Sequence, residues 1–448
     1  MKRVEVPPKM ISLKGKTFYI HTFGCQMNEN DSERIAGYLR SDGAKKADQI
    51  ENSDIIIVNT CAVREKSVEK LYSLLGRLSQ IKKKKKILIG VSGCVAQLQR
   101  NELLSNRPFI DFVVGPDNYH LLVPNLKSIC HDKFILTERR CYWDYPSPSL
   151  FLRKNRKSAF ITIMEGCNNF CSYCIVPFAR GREKFRPKYD ILAEAVFLSN
   201  QGYKEIQLLG QNVNSYVDPL SGTDFNALLK EMNKIKTIEW IRFLTSHPKN
   251  FKLETARVMK DSEKICRQLH LPIQAGSNSV LKRMRRGYTR EEYLTKISKI
   301  KELMPDVSLS TDIIVGFPGE TEEDIQKTLD VLQEVEYNNI FSFRYSPRPY
   351  TKASHLDDNV PLAAKRERLI RVQSLQKKIQ LKNNNKLIGR QMKVLCTGFS
   401  KKDQNKYTGR NQAFQVINFS SDRNVLDQFV SVLITDCGPY SVHGKISD

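Results

Sequence analysis

Residues 54–61, DIIIVNTC, form a short apolar run, and residues 64–80, REKSVEKLYSLLGRLSQ, follow it with a helix-like pattern. The same succession occurs at residues 16–25, KTFYIHTFGC, and at residues 86–94, KILIGVSGC. Each of these runs also precedes a helix-like stretch. Alternation of strand and helix predicts a parallel sheet of the α/β class.

A cysteine ends each of these three runs: Cys25, Cys61 and Cys94. Carboxyl ends of parallel strands lie on one edge of a sheet, where open α/β folds bind their ligands. We therefore expect the three thiols to converge. The alternative is that three strands end by chance in a packing cysteine, but each cysteine lies beside a position where the backbone turns: Gly24, Thr60 and Gly93.

The pattern changes along the chain predict four regions. They are an N-terminal α/β domain over residues 15–141, a linker over 142–157, a second βα domain over 158–380, and a small antiparallel β-barrel over 381–446. The second domain has six strand candidates separated by helical patterns, which predicts a partial or full (β/α) barrel with its function on the loops after the strands. A basic amphipathic helix over residues 363–386 precedes the last β-rich segment.

Composition restricts the classes of partner. The chain has 72 Lys and Arg against 48 Asp and Glu, a net charge of +24, which favours an extended polyanion such as nucleic acid. It contains no run of eighteen apolar residues and no signal-like N-terminus, so we expect a cytoplasmic location and no membrane partner. Eleven cysteines, an odd number, argue against a disulfide framework and favour metal ligation by some of them.

Residues 165–174, EGCNNFCSYC, bring three cysteines together at spacings of four and three: Cys167, Cys171 and Cys174. A structural zinc needs four protein ligands, yet no other Cys or His occurs between residues 142 and 246. An iron–sulfur cube with three protein ligands keeps one iron open for a small molecule. A zinc site or unligated thiols are the alternatives to a cube.

This C-x3-C-x2-C spacing after the first barrel strand resembles the signature of the radical S-adenosylmethionine (radical SAM) superfamily. Further stretches resemble the methylthiotransferase family, closest to its MiaB type, which acts on transfer RNA. The C-terminal barrel resembles the TRAM module of that family. The similar stretches run from about residue 16 to 353 and include TFGCQMNENDSERIAGYL, NTCAVREKSVEKLYSLLGRL, GCVAQ, LLGQNVNSY, RFLTSHP, MRRGYTREEY, STDIIVGFPGETEEDI and FSFRYSPRP.

The resemblance implies two 4Fe-4S clusters and S-adenosylmethionine as cofactors. One cluster is expected on Cys167, Cys171 and Cys174, and a second, auxiliary one on Cys25, Cys61 and Cys94. The implied reaction adds a methylthio group to C2 of N6-isopentenyladenosine beside the anticodon. No catalytic side chain beyond the cluster ligands is predicted. The positions expected to contact the cofactor are Gly210, Gln211, Asn212, Ser246, Gln274 and Asp312.

The expected partners are transfer RNA, whose anticodon loop carries isopentenyladenosine, an electron donor such as flavodoxin or ferredoxin, and a sulfur donor. We expect a monomer. The TRAM-like barrel and the basic helix are expected to bind RNA, together with ARGREKFRP, residues 179–187. The candidate side chains are Lys393, Lys401, Lys402, Lys406, Arg410, Phe399, Tyr407, Phe414, Arg180, Arg182, Lys184 and Arg186.

Two positions depart from the family pattern. Tyr350 stands where relatives usually carry glycine, and Phe185 stands where a small residue is usual. Three alternatives to the implied activity stay open: the same chemistry on threonylcarbamoyladenosine in transfer RNA, the same chemistry on an aspartate of a ribosomal protein, and a non-enzymatic iron–sulfur RNA-binding protein.

Overall fold

The structure is a computed structural model that describes residues 12–128, 132–140 and 145–447. The chain forms two compact units. Unit 1 comprises Met1–Lys154, Glu165–Asn168 and Ile175–Lys184, and unit 2 comprises Asn155–Met164, Asn169–Cys174 and Phe185–Asp448. Part of the expected linker, residues 142–144, lies outside the described residues. The four-region division stays a prediction.

Unit 1 contains the expected parallel sheet. Its six strands are ordered β2-β1-β3-β4-β5-β6, and every neighbouring pair is parallel. The strands are β1 (Thr17–Phe23), β2 (Lys45–Lys46), β3 (Ile55–Thr60), β4 (Leu88–Gly93), β5 (Phe112–Val114) and β6 (Phe134–Leu136). The helices are α1 (Gln26–Ser41), α2 (Glu65–Lys84), α3 (Cys94–Gln99), α4 (Asn101–Asn106), α5 (Leu122–Ser128) and α6 (Val176–Arg180).

The three apolar runs of the sequence are the central strands β1, β3 and β4. Residues of β3 alternate between two cores, with Ile56 and Val58 in one and Ile55 and Ile57 in the other. A strand buried on both faces reads as a continuous apolar run, which is why these strands were visible in the sequence. The short strands β5 and β6, three residues each, were not predicted.

Unit 2 begins with six parallel strands that succeed one another in sequence order. They are β7 (Ser158–Thr162), β10 (Glu205–Leu209), β11 (Trp240–Phe243), β12 (Gln268–His270), β13 (Ser308–Val315) and β14 (Asn339–Arg344). A bridge between Ile241 and Ile265 joins the two halves. Two short strands border the cysteine loop: β8 (Met164–Glu165) and β9 (Lys184–Phe185). This arrangement confirms the predicted (β/α) partial barrel.

The helices of unit 2 cover the outside of these strands. They are α7 (Lys188–Asn200), α8 (Phe225–Asn233), α9 (Leu253–Lys260), α10 (Asn278–Arg283), α11 (Arg290–Leu303), α12 (Glu322–Val335) and α13 (Leu362–Asn385). The last is the basic helix expected at residues 363–386. Its apolar positions pack on the main core as the spacing predicted: Leu369, Val372, Leu375 and Ile379.

The chain ends in a closed five-stranded barrel ordered β15-β16-β17-β19-β18. Its strands are β15 (Gln391–Phe399), β16 (Tyr407–Arg410), β17 (Val416–Ser420), β18 (Phe429–Cys437) and β19 (Val442–Ile446). The sequence predicted four of these strands and an antiparallel barrel. The pair β17–β19 is parallel, because β19 returns to close the barrel beside β17.

Among the described residues, no helix is both long and apolar enough to cross a membrane.

Candidate active site

Cys25, Cys61 and Cys94 follow strands of unit 1 that end at the same level of the sheet. The final residues of β1, β3 and β4 are paired in register, because Phe23 faces Thr60 and Thr60 faces Gly93. Each cysteine follows its strand by one or two residues: Cys25, Cys61 and Cys94. Register therefore produces the convergence predicted from the strand ends.

The three thiols act on one another. A hydrogen bond with Cys61 lowers the pKa of Cys25 to about 6. The same hydrogen bond, together with burial, raises the pKa of Cys61. Burial also raises the pKa of Cys94, although the nearby Arg180 guanidinium opposes that shift. The Cys25 sulfur is thus favoured as a thiolate, which is the form that binds metal, while Cys61 and Cys94 are favoured as thiols.

Two glycines beside the thiols, Gly24 and Gly93, have no room for a side chain. Gly93 has a φ of +88°, and a Cβ there would lie 2.3 Å from the Asn59 side-chain oxygen. A Cβ at Gly24 would lie 2.9 Å from the Cβ of Cys61. Both positions therefore require glycine for the thiols to approach one another.

Two buried hydroxyl groups beside the thiols have unused hydrogen-bonding capacity. Thr60 Oγ1 and Ser92 Oγ are buried, and neither has a hydrogen-bond partner among the described residues. Buried polar atoms are nearly always satisfied, so their position next to Cys61 and Cys94 fits a bound group with acceptor atoms. The sulfides of an iron–sulfur cluster are such acceptors.

Arg180 supplies a positive charge beside these thiols. It is buried, forms an ion pair with Asp31, and lies 3.8 Å from the Glu165 carboxylate. Asp31 also lies 3.4 Å from the Tyr119 hydroxyl. The guanidinium is therefore neutralised by acids of unit 1.

The second cysteine set lies on the loop between β8 and α6: Cys167, Cys171 and Cys174. The amide of Cys174 donates to the carbonyl of Cys171 at 3.0 Å, which forms a tight turn between them. The amide of Cys167 donates to the carbonyl of Gly181 at 3.2 Å.

Two buried side chains contact the Cys171 sulfur. Arg286 Nη1 donates to it at 3.2 Å, and His247 Nε2 lies 3.8 Å from it. Burial, together with the charge of Arg286, lowers the pKa of His247 to about 2, so this histidine is neutral. Its Nδ1 accepts a hydrogen bond from the amide of Lys249. Arg286 lies in the MRRGYTREEY stretch, but the sequence analysis gave it no role.

Among residues 12–128, 132–140 and 145–447, no group of three or more His, Cys, Asp or Glu side chains is placed to hold one metal ion. The buried Arg286 beside the Cys171 sulfur fits a bound group of negative charge.

The candidate cofactor positions lie at the carboxyl ends of the strands in unit 2. Gly210, Gln211 and Asn212 follow β10, and the amides of Gln211 and Asn212 point to the Met164 sulfur at 3.2 and 3.4 Å. Ser246 follows β11, and its buried hydroxyl has no hydrogen-bond partner among the described residues. This hydroxyl is free to bind a ligand.

The other two candidates contact each other through the backbone. The Gln274 amide donates to the Asp312 carbonyl at 2.9 Å. The Asp312 carboxylate lies 3.5 Å from His270 Nε2, and His270 Nδ1 lies 3.0 Å from the Ser310 hydroxyl. The carboxylate of Asp312 thus belongs to a polar group with His270 and Ser310.

Sequence reasoning missed Asn214. Both polar atoms of its carboxamide are buried without a hydrogen-bond partner among the described residues. It lies in the same LLGQNVNSY segment as Asn212, so the signal was the motif itself. We add Asn214 to the candidate cofactor contacts.

Three of the four basic residues of ARGREKFRP form ion pairs within their own unit. Arg180 pairs with Asp31, Lys184 with Asp117, and the buried Arg186 with Glu194. Arg182 is exposed. Contact of this segment with RNA or cofactor stays a prediction. A single sequence does not show which basic residues are neutralised by distant acids.

The RNA candidates of the C-terminal barrel separate into two groups. Arg410 lies over the Phe414 ring at 4.1 Å and donates to the Phe414 carbonyl, so both are occupied inside unit 2. Phe399 stacks on Tyr407 at 5.0 Å and remains 45% exposed. The exposed lysines are Lys393, Lys401, Lys402 and Lys406.

Comparison with known families divides the chain in the same way. Residues 17–115 match the model of the uncharacterized protein family UPF0004, and residues 161–332 match that of the radical SAM superfamily. The fold resembles a radical S-adenosylmethionine methyltransferase, TsrM, from Kitasatospora setae, with a TM-score of 0.55, 14% identity, and coverage of 76% of this chain and 75% of that one. The parallel barrel and its cysteine loop therefore define a radical SAM enzyme.

Two curated relatives extend the match over almost the whole chain. A tRNA-2-methylthio-N(6)-dimethylallyladenosine synthase from Thermodesulfovibrio yellowstonii is 43% identical over 435 residues, 97% of this chain and 99% of the relative. Another, from Acetivibrio thermocellus, is 42% identical over 441 residues, 97% of this chain and 91% of the relative. This chain belongs to the tRNA-2-methylthio-N(6)-dimethylallyladenosine synthase family. It uses S-adenosylmethionine and two 4Fe-4S clusters.

Proposed function

We propose that this enzyme replaces the hydrogen on C2 of N6-isopentenyladenosine in transfer RNA with a methylthio group. The observation that carries the proposal is the pair of cysteine sets, one at the in-register strand ends of unit 1 and one on the loop after the first barrel strand. Similarity to relatives named for this activity, 42–43% identity over 97% of this chain, supports the substrate.

The target explains why the site is built around cysteines. An aromatic C2–H is neither acidic nor nucleophilic enough for a positioned carboxylate or histidine to activate it. Bound at Cys167, Cys171 and Cys174, a cluster with S-adenosylmethionine supplies a carbon radical able to react there, and the second cluster is the proposed source of sulfur.

The protein's own residues hold and shield these groups. The thiols of unit 1 supply three ligands, and Asn59 and the adjacent glycines fix their approach. In unit 2, Ser246 and Asn214 offer buried polar atoms for the cofactor, and the buried Arg286 and His247 close off the Cys171 sulfur from water. A reactive radical requires such a dry environment to meet only its target.

Nucleoside mass spectrometry of transfer RNA from cells lacking this protein tests the proposal. We expect loss of the methylthio mark with the isopentenyl group retained, and restoration by the wild-type gene. Restoration by Cys437→Ala, a cysteine outside both sets, and failure with Cys61→Ala provide matched variants. An unchanged profile would contradict the proposal, and loss of a threonylcarbamoyl-linked mark would indicate the other RNA substrate.

The two cysteine sets are separable in vitro. With dithionite as reductant, Cys171→Ala is expected to abolish cleavage of S-adenosylmethionine to 5′-deoxyadenosine. Cys61→Ala is expected to retain cleavage and to lose thiolation, because it disrupts only the set in unit 1. Normal thiolation by Cys61→Ala would show that the auxiliary-cluster assignment is wrong.

The donors of electrons and sulfur, the monomeric state and the cytoplasmic location stay predictions.

A further inference from the structure

Arg286 is a buried cation with no acid beside it. Arg286 is only 4% exposed, and among the described residues no carboxylate forms an ion pair with it. Its guanidinium donates to the Pro272 carbonyl at 2.6 Å, the Tyr288 hydroxyl at 2.8 Å, the Cys171 sulfur at 3.2 Å and the Tyr173 hydroxyl at 3.3 Å. All of these partners except the sulfur are neutral.

The other buried arginines of the described chain are neutralised by acids. Each has a carboxylate within ion-pair distance: Arg34, Arg180, Arg186, Arg242 and Arg368. An unpaired buried ion costs several kcal/mol, so native structures pair such ions or place them on a bound charge. Arg286 therefore indicates an anion at Cys171 that the protein alone does not supply.

Neighbouring side chains leave the charge of Arg286 uncancelled. His247 Nε2 lies 3.8 Å from the same Cys171 sulfur and carries no carboxylate to that position. Because no acid of the described residues pairs with Arg286, the compensating negative charge must come from the group bound at the Cys171 sulfur.

We propose that Arg286 is a positioning residue that stabilises the reduced state of the cluster held by Cys167, Cys171 and Cys174, through its charge and its hydrogen bond to the Cys171 sulfur. This inference rests on the proposed function. Reduction adds one electron from the external reductant, and hence one negative charge, while Arg286 keeps its proton. Hydrogen bonds to ligand sulfurs and local charge are established determinants of cluster potential.

The auxiliary set provides an internal reference. Arg180 near Cys94 is neutralised by Asp31. Among the described residues Arg286 contacts Cys171 and no cysteine of the auxiliary set, so replacing Arg286 is expected to shift the potential of the cluster at Cys171 and to leave the other unchanged.

The test is an anaerobic redox titration of the reconstituted full chain, followed by electron paramagnetic resonance without transfer RNA. For Arg286→Gln we expect the ratio of reduced to oxidised cluster, at the wild-type midpoint, to fall about tenfold, equivalent to about 59 mV for one electron. Arg286→Lys should retain most of the effect, because it keeps the charge. The control is Arg285→Gln, the adjacent exposed arginine, which should titrate as wild type.

The iron content of each variant is measured beside its potential, so that loss of the cluster is distinguished from a shift of its potential. An unchanged potential in Arg286→Gln with full iron content would overturn the proposal. If Arg286→Gln loses iron that Arg286→Lys retains, the charge requirement is supported, whereas equal loss in both would show that Arg286 only packs. Tyr288→Phe removes the hydroxyl that accepts from Arg286 Nε, and we expect a smaller shift in the same direction.

These readouts do not depend on the RNA substrate. Failure of the nucleoside assay would refute the proposed function and leave the potential shift measurable. An absent shift with normal thiolation would refute only the role of Arg286.

Discussion

Several residues at the candidate cofactor site hold strained backbone. Thr245, Gln274 and Phe170 have φ values of 69°, 78° and 46°, in the region that favours glycine. Thr245 precedes Ser246 and Phe170 precedes Cys171, while Gln274 is itself a candidate cofactor contact. Such strain costs about 1–3 kcal/mol per residue and persists where surrounding structure enforces it, which is typical of functional sites.

Tyr350 has the same strain without a functional position. Its φ is 68° and it is 57% exposed. The backbone at this position therefore adopts a conformation that favours glycine and strains a tyrosine. Phe185, the other departure, packs edge-on against the Tyr216 ring at 6.0 Å, so the larger residue is accommodated.

Tyr350→Gly is expected to increase the free energy of unfolding by about 1 kcal/mol, because glycine adopts a positive φ without steric cost. Chemical denaturation measures the change. The control is Tyr440→Gly, at another exposed tyrosine whose φ is not positive. An equal gain in both variants would show that the backbone conformation at Tyr350 is not the cause.

At the scale of elements, α1 connects the first cysteine to buried charge. Cys25 is its N-cap, and Asp31 and Arg34 on its inner face join the ion pairs of unit 1. On the same helix, Glu33 Oε1 accepts from the Lys154 amide at 2.9 Å, while Oε2 is buried without a hydrogen-bond partner among the described residues.

Burial raises the pKa of Glu33 to about 7 from its ordinary value of 4.5. Its folded-state pKa exceeds the unfolded one, so its ionisation destabilises the fold progressively above pH 4.5, and fully above pH 7, by up to about 3 kcal/mol. Glu33→Gln should therefore stabilise the protein at pH 8 and much less at pH 5.

Denaturation at both pH values measures this difference, and Glu69→Gln on the exposed face of α2 is the control. A gain from Glu33→Gln that is equal at pH 5 and pH 8 would contradict the assignment.

Helix α13 has a structural role besides the RNA binding expected of it. Four of its seven basic residues form ion pairs inside unit 2: Lys365, Arg368, Arg371 and Lys382. Arg368 holds Glu320, whose carboxylate also accepts from the Gly316 amide at 2.7 Å. The helix thus fixes the VGFPGE loop that follows β13.

At the scale of the whole molecule, described unit by unit, Arg242 joins the C-terminal barrel to the (β/α) barrel within unit 2. This buried side chain pairs with Glu205 at 2.6 Å and donates to the carbonyls of Asn411 and Gln412, each at 2.6 Å. The Phe414 ring lies 5.0 Å from it. The RNA-binding candidate module is therefore anchored to the strands of the catalytic barrel in part by this guanidinium, beside the packing of Trp240 on Phe429 and the ion pair of Lys393 with Glu239.

Arg242→Met is expected to cost about 3–5 kcal/mol, because it leaves Glu205 buried without its charge partner. Hydrogen exchange should show loss of protection around residues 411–414. Lys204→Gln, which breaks a partly exposed pair with Glu239, should cost less than about 1 kcal/mol. Wild-type stability of Arg242→Met would show that this contact does not hold the barrels together.

The sequence by itself determined the strand–helix alternation, the six barrel strands and both cysteine sets, because these features are encoded in local periodicity and spacing. Only the tertiary structure decided which side chains from distant parts of the sequence contact the cysteines and neutralise the buried arginines. Arg286 and His247 reach Cys171 from 115 and 76 residues away, and Arg180 is neutralised by an acid 149 residues away. Such pairings depend on strand register and packing, which no local pattern contains.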